Sequence, residues 1–181
     1  MNEQGKQKSV SQKTSKKETS FQRDLLMLLL KIVILVCVFA ILFTYVFGFY
    51  RNQSVAMEPA LKDGDVVVYF GINNKIHAND LVVVKYLGKT MVERVIAVEG
   101  DEVDIDKDGL IVNGAHVQEQ GIYSETTQFE DGVDFPLTVG YGRLFVLGDN
   151  REHATDSRIF GCIKEKDIKG KVIGIFRRRN L

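Results

Sequence analysis

Nineteen consecutive residues, Ile32 to Tyr50, carry no charge, and beyond the single Lys31 the apolar run continues back through Leu25–Leu30. A helix of about 20 apolar residues crosses the roughly 30 Å hydrocarbon layer of a bilayer with its backbone groups satisfied internally. Residues 25–50 are therefore read as a transmembrane helix. A cleaved secretory leader would have a shorter apolar region, of about 7–15 residues, and a small-residue exit of the A-x-A kind, which is missing here. Lys31 lies near the N-terminal end of the stretch, from which its stem reaches the headgroups. Lys6, Lys8, Lys13, Lys16, Lys17 and Arg23 precede the span, while only Arg51 and Lys62 follow it closely. Basic residues gather on the cytoplasmic side, so the expectation is a single-pass protein of the cell membrane with its N-terminus inside and its C-terminal domain outside.

Residues 1–24 space their basic side chains with Ser, Thr and Gln and hold little that is apolar, which reads as a disordered cytoplasmic tail. The formal net charge is zero, and nucleic-acid binding gains no support. The basic cluster Arg177–Arg179 reads as a solvated end, with anionic lipid or wall polymer as the surfaces it would touch. An extracytoplasmic location permits disulfides, but Cys37 falls within the span and Cys162 within a distant motif, so no intramolecular bridge is expected.

Residues 51–181 are read as one β domain. Val66–Tyr69, Leu81–Val84, Met91–Val98, Leu110–Val112, Arg143–Leu147 and Lys171–Phe176 are β-branched or apolar runs, separated by turn residues at Gly71–Asn74, Asp108-Gly109, Asn113-Gly114 and Gly140–Gly142. The pattern implies a mostly β, antiparallel domain, with a hairpin turning at Asp108-Gly109 and a second reversal at Asn113-Gly114. Asp101, Glu102, Asp104, Asp106 and Asp108 invite a calcium-loop reading, but the glycine at the sixth position, the glutamate at the twelfth and the flanking helices of such a loop are absent. They read as solvated strand residues, and no metal or other cofactor is expected. Residues 115–141 form a long polar connection with isolated aromatics at Tyr123, Phe129 and Phe135. Connections of that length are commonly functional excursions or disordered.

Three segments carry a sharper pattern: Ser54-Val-Ala-Met-Glu-Pro-Ala-Leu61, Glu93-Arg-Val-Ile-Ala-Val-Glu-Gly-Asp101, and Gly148-Asp-Asn-Arg followed by Ala154, Asp156, Arg158 and Gly161. In order and spacing, behind one span, they resemble the bacterial type I signal peptidases of the Gram-positive kind. Asn79-Asp80 before Leu81–Val84 is a further counterpart. The resemblance implies an antiparallel β domain held at the outer membrane surface, where a serine and a lysine cleave leader peptides. Serine attack needs a hydroxyl, a base that takes its proton, and donors for the oxyanion. A lysine serves as that base when burial lowers its pKa from about 10.4 toward neutrality.

By the same resemblance Ala56 stands at the nucleophile position, Glu93 at the lysine position, and Ala154 where a serine orients that lysine. Ser54 matches an oxyanion-side hydroxyl, although a plain structural hydrogen bond is the better reading of it, and Met57 a surface that meets membrane or leader peptide, a reading that competes with simple core packing. Arg94, Asp149, Asp156 and Arg158 match structural ion pairs, and Gly148 and Gly161 match tight turns. No catalytic residue is assigned. The three substitutions agree with one another, unlike a lone Ser-to-Ala trap. The chain is most similar in this respect to the inactive signal-peptidase-like proteins that accompany pilus assembly. Its expected partners are therefore the lipid membrane and an exported or pilin-like protein that it binds without cutting. Two alternatives stay open: a leader peptidase with a displaced nucleophile such as Ser54, and a structural subunit of a membrane complex. His77, His116 and His153 read as surface residues, although a Ser–His pair of His153 with Ser157 is conceivable.

Overall fold

The structure, a computed structural model, describes residues 3–71 and 75–178, with side chains described from Phe21 onward apart from Leu42 and Tyr45. It divides into two compact units, residues 1–45 and 46–181. The first is helix α1, Glu3–Val46, within which Phe21–Ile41 is long and apolar enough to cross a membrane. Two boundaries differ from expectation. The tail read as disordered over residues 1–24 is helical from Glu3; its Lys, Gln and Glu have unbranched stems that lose little rotamer freedom in a helix. The helix also stops before residue 50, because Phe47–Arg51 forms strand β1. β1 pairs with β2, Val66–Phe70, in the register Phe47↔Phe70 through Arg51↔Val66. Gly48 permits this pairing: an added Cβ would fall 2.1 Å from the Tyr69 ring. An apolar run can thus end as a strand once its alternate residues find a sheet to cover.

The second unit is mostly antiparallel β, as the sequence implies. Its further elements are β3 (Leu81–Tyr86), β4 (Lys89–Val98), β5 (Glu102–Asp106), β6 (Gly109–Val112), β7 (Ala115–His116), β8 (Leu137–Thr138), β9 (Arg143–Leu147), α2 (Ser157–Phe160), β10 (Ile163–Lys164) and β11 (Ile168–Phe176). A seven-stranded sheet runs β1-β2-β11-β3-β4-β9-β10, and a four-stranded sheet runs β7-β6-β5-β8. The β5–β6 hairpin turns at Lys107-Asp108 rather than Asp108-Gly109, since Asp106 pairs with Gly109. Asn113 and Gly114 do make the next reversal, with φ of 52° and 76°, the left-handed pair that a two-residue hairpin requires. The expected turn at Gly71–Asn74 lies outside the described residues beyond Gly71, as does Arg179. Cys37 and Cys162 form no disulfide among the described residues.

The long central strands present a separate cluster on each side. Val83 and Val92 join Met57, Leu61 and Val67 on one side, and Val82, Val84 and Val95 join Leu144, Val146 and Ile163 on the other. Met57 is buried in the first cluster. Against the reading in which it meets membrane or peptide, this burial supports the competing one of core packing. Its unbranched thioether fills core space and its Sδ accepts a hydrogen bond from the Asp149 N–H at 3.4 Å.

Candidate functional site

The segment before Met57 is stitched to the loop after β9. Asn150 N donates to the Ala56 carbonyl at 2.9 Å, and Asn150 Nδ2 to the Val55 carbonyl at 3.3 Å. Beneath them sits Gly148, which continues the alternation of Leu144 and Val146 on β9. A Cβ there would lie 2.5 Å from Ala154 Cβ and 2.7 Å from Ala56 O. Gly148 is therefore required by close approach and not by a turn. Only a residue without a side chain lets Ala56 and Ala154 meet over this strand.

Glu93 belongs to the same junction. On β4 it pairs with Val82 and lies one step beyond the Arg94↔Leu147 pair that joins β4 to β9. Alternation puts it on the side of Val95, the side to which Gly148 is open. The three positions singled out in the sequence thus converge, although they are separated by up to 98 residues of chain.

Three ion pairs frame the junction. Arg94 grips Asp149 in a two-pronged contact, Nε to Oδ1 at 2.7 Å and Nη2 to Oδ2 at 2.6 Å. Asp156 caps α2, accepting from Arg158 N at 3.1 Å, from Arg158 Nε and Nη2 at 2.9 Å each, and from Gly148 N at 3.2 Å. Gly161, at φ 76°, closes the short helix. Arg151 is the third cation. It donates to the Gly148 carbonyl, to Thr126 Oγ1 at 2.9 Å, and to Glu119. Arg151, Thr126 and Glu119 are the site residues that sequence reasoning missed. Arg151 was visible inside the Gly148-Asp-Asn-Arg motif, but its partners lie in a polar stretch where no spacing marks them.

Glu93 is 1% exposed, and its Oε2 has no hydrogen-bond partner among the described residues. Burial pushes its carboxyl well above the usual range; Asp156 and Asp149 push the same way, against Arg151 and Arg158. The folded state therefore favours the neutral acid, so Glu93 supports the fold fully below its unfolded pKa, and that support is lost as pH rises through the folded value. In thermal melts of the full chain, the native protein is expected to lose stability as pH rises above about 4.5, and Glu93→Gln is expected to lose less over the same range. A decline of equal slope in both proteins would contradict this account.

Other candidates do not assemble into chemistry. The Ser54 hydroxyl accepts from Ala56 N at 3.1 Å, closing its own turn. Ser157 offers no alternative nucleophile, because it is buried and its hydroxyl accepts from Val146 N at 3.0 Å. His153 is exposed, with its Nδ1 3.1 Å from Asn150 Oδ1, so the conceivable Ser–His pair is not formed. His77 and His116 are exposed as expected. Asp106, Asp108 and His116 cluster at the β5–β6 turn with all three exposed.

A profile for the family described as "Signal peptidase, peptidase S26" matches residues 25–176. The chain belongs to this family. Among its curated relatives, a signal peptidase I of Bacillus caldolyticus is 35% identical over 151 residues, covering 76% of this chain and 83% of its own. A signal peptidase IB of Staphylococcus aureus is 34% identical over 169 residues, covering 83% and 88%. A solved signal peptidase I of Enterococcus faecalis is 28% identical and covers 55% of this chain and 98% of its own, with a TM-score of 0.49. The signal peptidase match begins inside the apolar part of α1, and that helix fits a membrane anchor.

Proposed function

We propose that this signal peptidase homologue is a non-catalytic, membrane-anchored protein that holds an exported polypeptide without cutting it. The observation that carries the reading is the content of the junction at Gly148: Ala154, which meets it through its methyl, Ala56, which meets it through its backbone carbonyl and whose side chain is only a methyl, and one buried carboxyl, Glu93. A methyl has no electron pair with which to attack, and a neutral acid takes no proton from a hydroxyl. Removing a serine nucleophile typically lowers turnover on the order of 10⁶-fold. The frame around those positions is intact in its hydrogen bonds and ion pairs, so binding is retained in this reading. Extended polypeptide binds by backbone pairing and side-chain pockets, for which neither Ala56 nor Glu93 needs to react. The anchor is a single pass with the N-terminus in the cytoplasm, and the client is an exported surface subunit of the pilin kind.

The test uses purified full-length protein with a preprotein bearing a small-x-small site, read separately for binding and for cleavage. Binding with intact precursor is the expected outcome. Cleavage that disappears on Ser54→Ala would establish a displaced nucleophile instead, and absence of binding, with a partner recovered after crosslinking, would favour a purely structural subunit.

A further inference from the structure

The β3–β4 hairpin ends in a two-residue turn, since Tyr86 pairs with Lys89. Its central residues, Leu87 and Gly88, have φ of 46° and 83°, the doubly left-handed turn for which Asn-Gly and Asp-Gly are favoured. The chain itself supplies the comparison: Asn113 and Gly114, at 52° and 76°, make the same kind of turn between β6 and β7 with the favoured residues. At the β3–β4 turn a leucine takes the place of that asparagine, in a conformation that a side chain without a polar group resists. Leu87 is also 86% exposed, the most exposed aliphatic side chain among the described residues. It adds nothing to the core; Tyr86 beside it stacks on Phe160 with ring centroids 4.4 Å apart and holds the hairpin to the domain. Backbone preference and burial thus both disfavour this leucine, and strain kept at an open tip points to a contact outside the chain.

Two features say what that contact is. Lys85 and Lys89 flank the tip, are exposed, and form no salt bridge among the described residues. Lys89 shares a face of the ribbon with its pair Tyr86, and Lys85 lies on the other, so a cation stands on either side of the leucine. The second feature is the hydrogen bond from Tyr50 Oη to the Thr90 carbonyl at 2.7 Å; Thr90 pairs with Lys85, one rung below the turn. Tyr50 closes the uncharged run and Arg51 is the first charge after it, so the chain has left the hydrocarbon layer by residue 51. The bond therefore ties the hairpin to the residue that leads out of the bilayer. Among the described residues, nothing lies within 4 Å of where a Cβ on Gly88 would stand, which leaves the tip free to meet lipid.

We propose that the β3–β4 tip is a second membrane contact: Leu87 enters the boundary between headgroups and acyl chains of an anionic bilayer, with Lys85 and Lys89 on lipid phosphates. An apolar residue between lysines gains from both parts of such an interface, apolar burial and attraction to negative headgroups. The proposal rests on α1 as the anchor and not on the loss of catalysis. Because the anchor already holds the domain at the surface, so small a contact needs little affinity of its own.

The chain contains no tryptophan, so one introduced residue reports alone. Full-length Leu87→Trp is reconstituted in vesicles of phosphatidylcholine, with or without phosphatidylglycerol. Tyr141→Trp serves as the control, because its native side chain is 91% exposed and the new residue has the same preference for interfaces. With phosphatidylglycerol, chain-brominated lipid is expected to quench Leu87→Trp several times more strongly than Tyr141→Trp. Each lysine removed, in Lys85→Ala and Lys89→Ala, is expected to lower the bound-to-free ratio of the tip about fivefold, the effect of one basic residue near an anionic surface. Equal quenching of the two reporters, or quenching of Leu87→Trp that is unchanged in neutral vesicles or without the lysines, overturns the proposal. A reporter that responds only to added preprotein would assign the tip to polypeptide, and one that responds only to protein density would assign it to a second copy; either result overturns the lipid contact. Should Leu87→Trp disturb the hairpin, amide exchange with the native side chain decides. Residues 85–90 of the native chain are expected to be better protected in phosphatidylglycerol vesicles than in neutral ones, and those of Leu87→Asn, which suits the turn, equally protected in both. No difference in the native chain overturns the proposal. Precursor cleavage in the same preparations would refute the non-catalytic reading and leave the tip contact standing.

Discussion

A full-length chain carrying Ala56→Ser together with Glu93→Lys is expected to cleave a preprotein that the native chain and Ala56→Ser alone leave whole. A hydroxyl at 56 would stand where the segment is pinned by Asn150, but without a base its proton has nowhere to go. At position 93 burial disfavours an ammonium just as it disfavours a carboxylate, so a lysine there is pushed toward the neutral amine that a base requires. Arg151 and Arg158 act in the same direction on a cation, while Asp149 and Asp156 oppose them. Adding Ala154→Ser, beside Gly148, is expected to raise turnover further by orienting that amine. The gain to look for is a substantial part of the roughly 10⁶-fold that a serine nucleophile supplies, measured as precursor processing by mass spectrometry. A triple variant that binds leader peptide but leaves it intact would mean that the oxyanion side no longer fits. One that binds no peptide would mean that the polypeptide-binding surface itself has been lost.

The second large effect is on stability. Asp156→Ala is expected to lower the unfolding free energy by about 3–5 kcal/mol, because it leaves the buried Arg158 guanidinium without its counter-charge. Asp156 is 0% exposed and also holds the Gly148 N–H and the first turn of α2, so its loss loosens the strand on which Ala56 and Ala154 meet. Arg94→Ala is expected to cost less, since the Arg94 side chain is 23% exposed and water reaches the pair more easily. Urea denaturation of the native chain and the two variants under one condition gives the comparison. A smaller loss for Asp156→Ala than for Arg94→Ala would refute this ranking.

Local chemistry made several features legible. The β-branched runs became β2, β3, β4, β6, β9 and β11 because short alternating or continuous β-branched and apolar runs bounded by turn residues suit strands that bury one face or both. Asn113-Gly114 became a reversal because those two residue types accept left-handed backbone. Arg94, Asp149, Asp156 and Arg158 could be singled out from their motifs, and the structure pairs them as two salt bridges. Met57 admits both a surface and a core reading in the sequence because an apolar residue gives no sign of whether lipid, ligand or its own core will cover it. Residues 47–50 leave the helix because an uncharged run does not say where pairing with a distant strand will outweigh continuing it. Glu119 and Thr126 had no local signal at all, since their importance comes from Arg151 arriving from another part of the chain.

By itself the sequence determined the apolar helix, the strand-rich character of residues 51–181 and the chemical identity of Ala56, Glu93 and Ala154, all of which follow from composition and order along the chain. Only the tertiary structure decided that these three converge at Gly148, that Glu93 is sealed from water with an oxygen unpaired among the described residues, and that Glu119 and Thr126 are tied to the same cluster through Arg151. Burial and electrostatic balance are properties of what surrounds a group in space, and here the surroundings come from segments far apart in the chain.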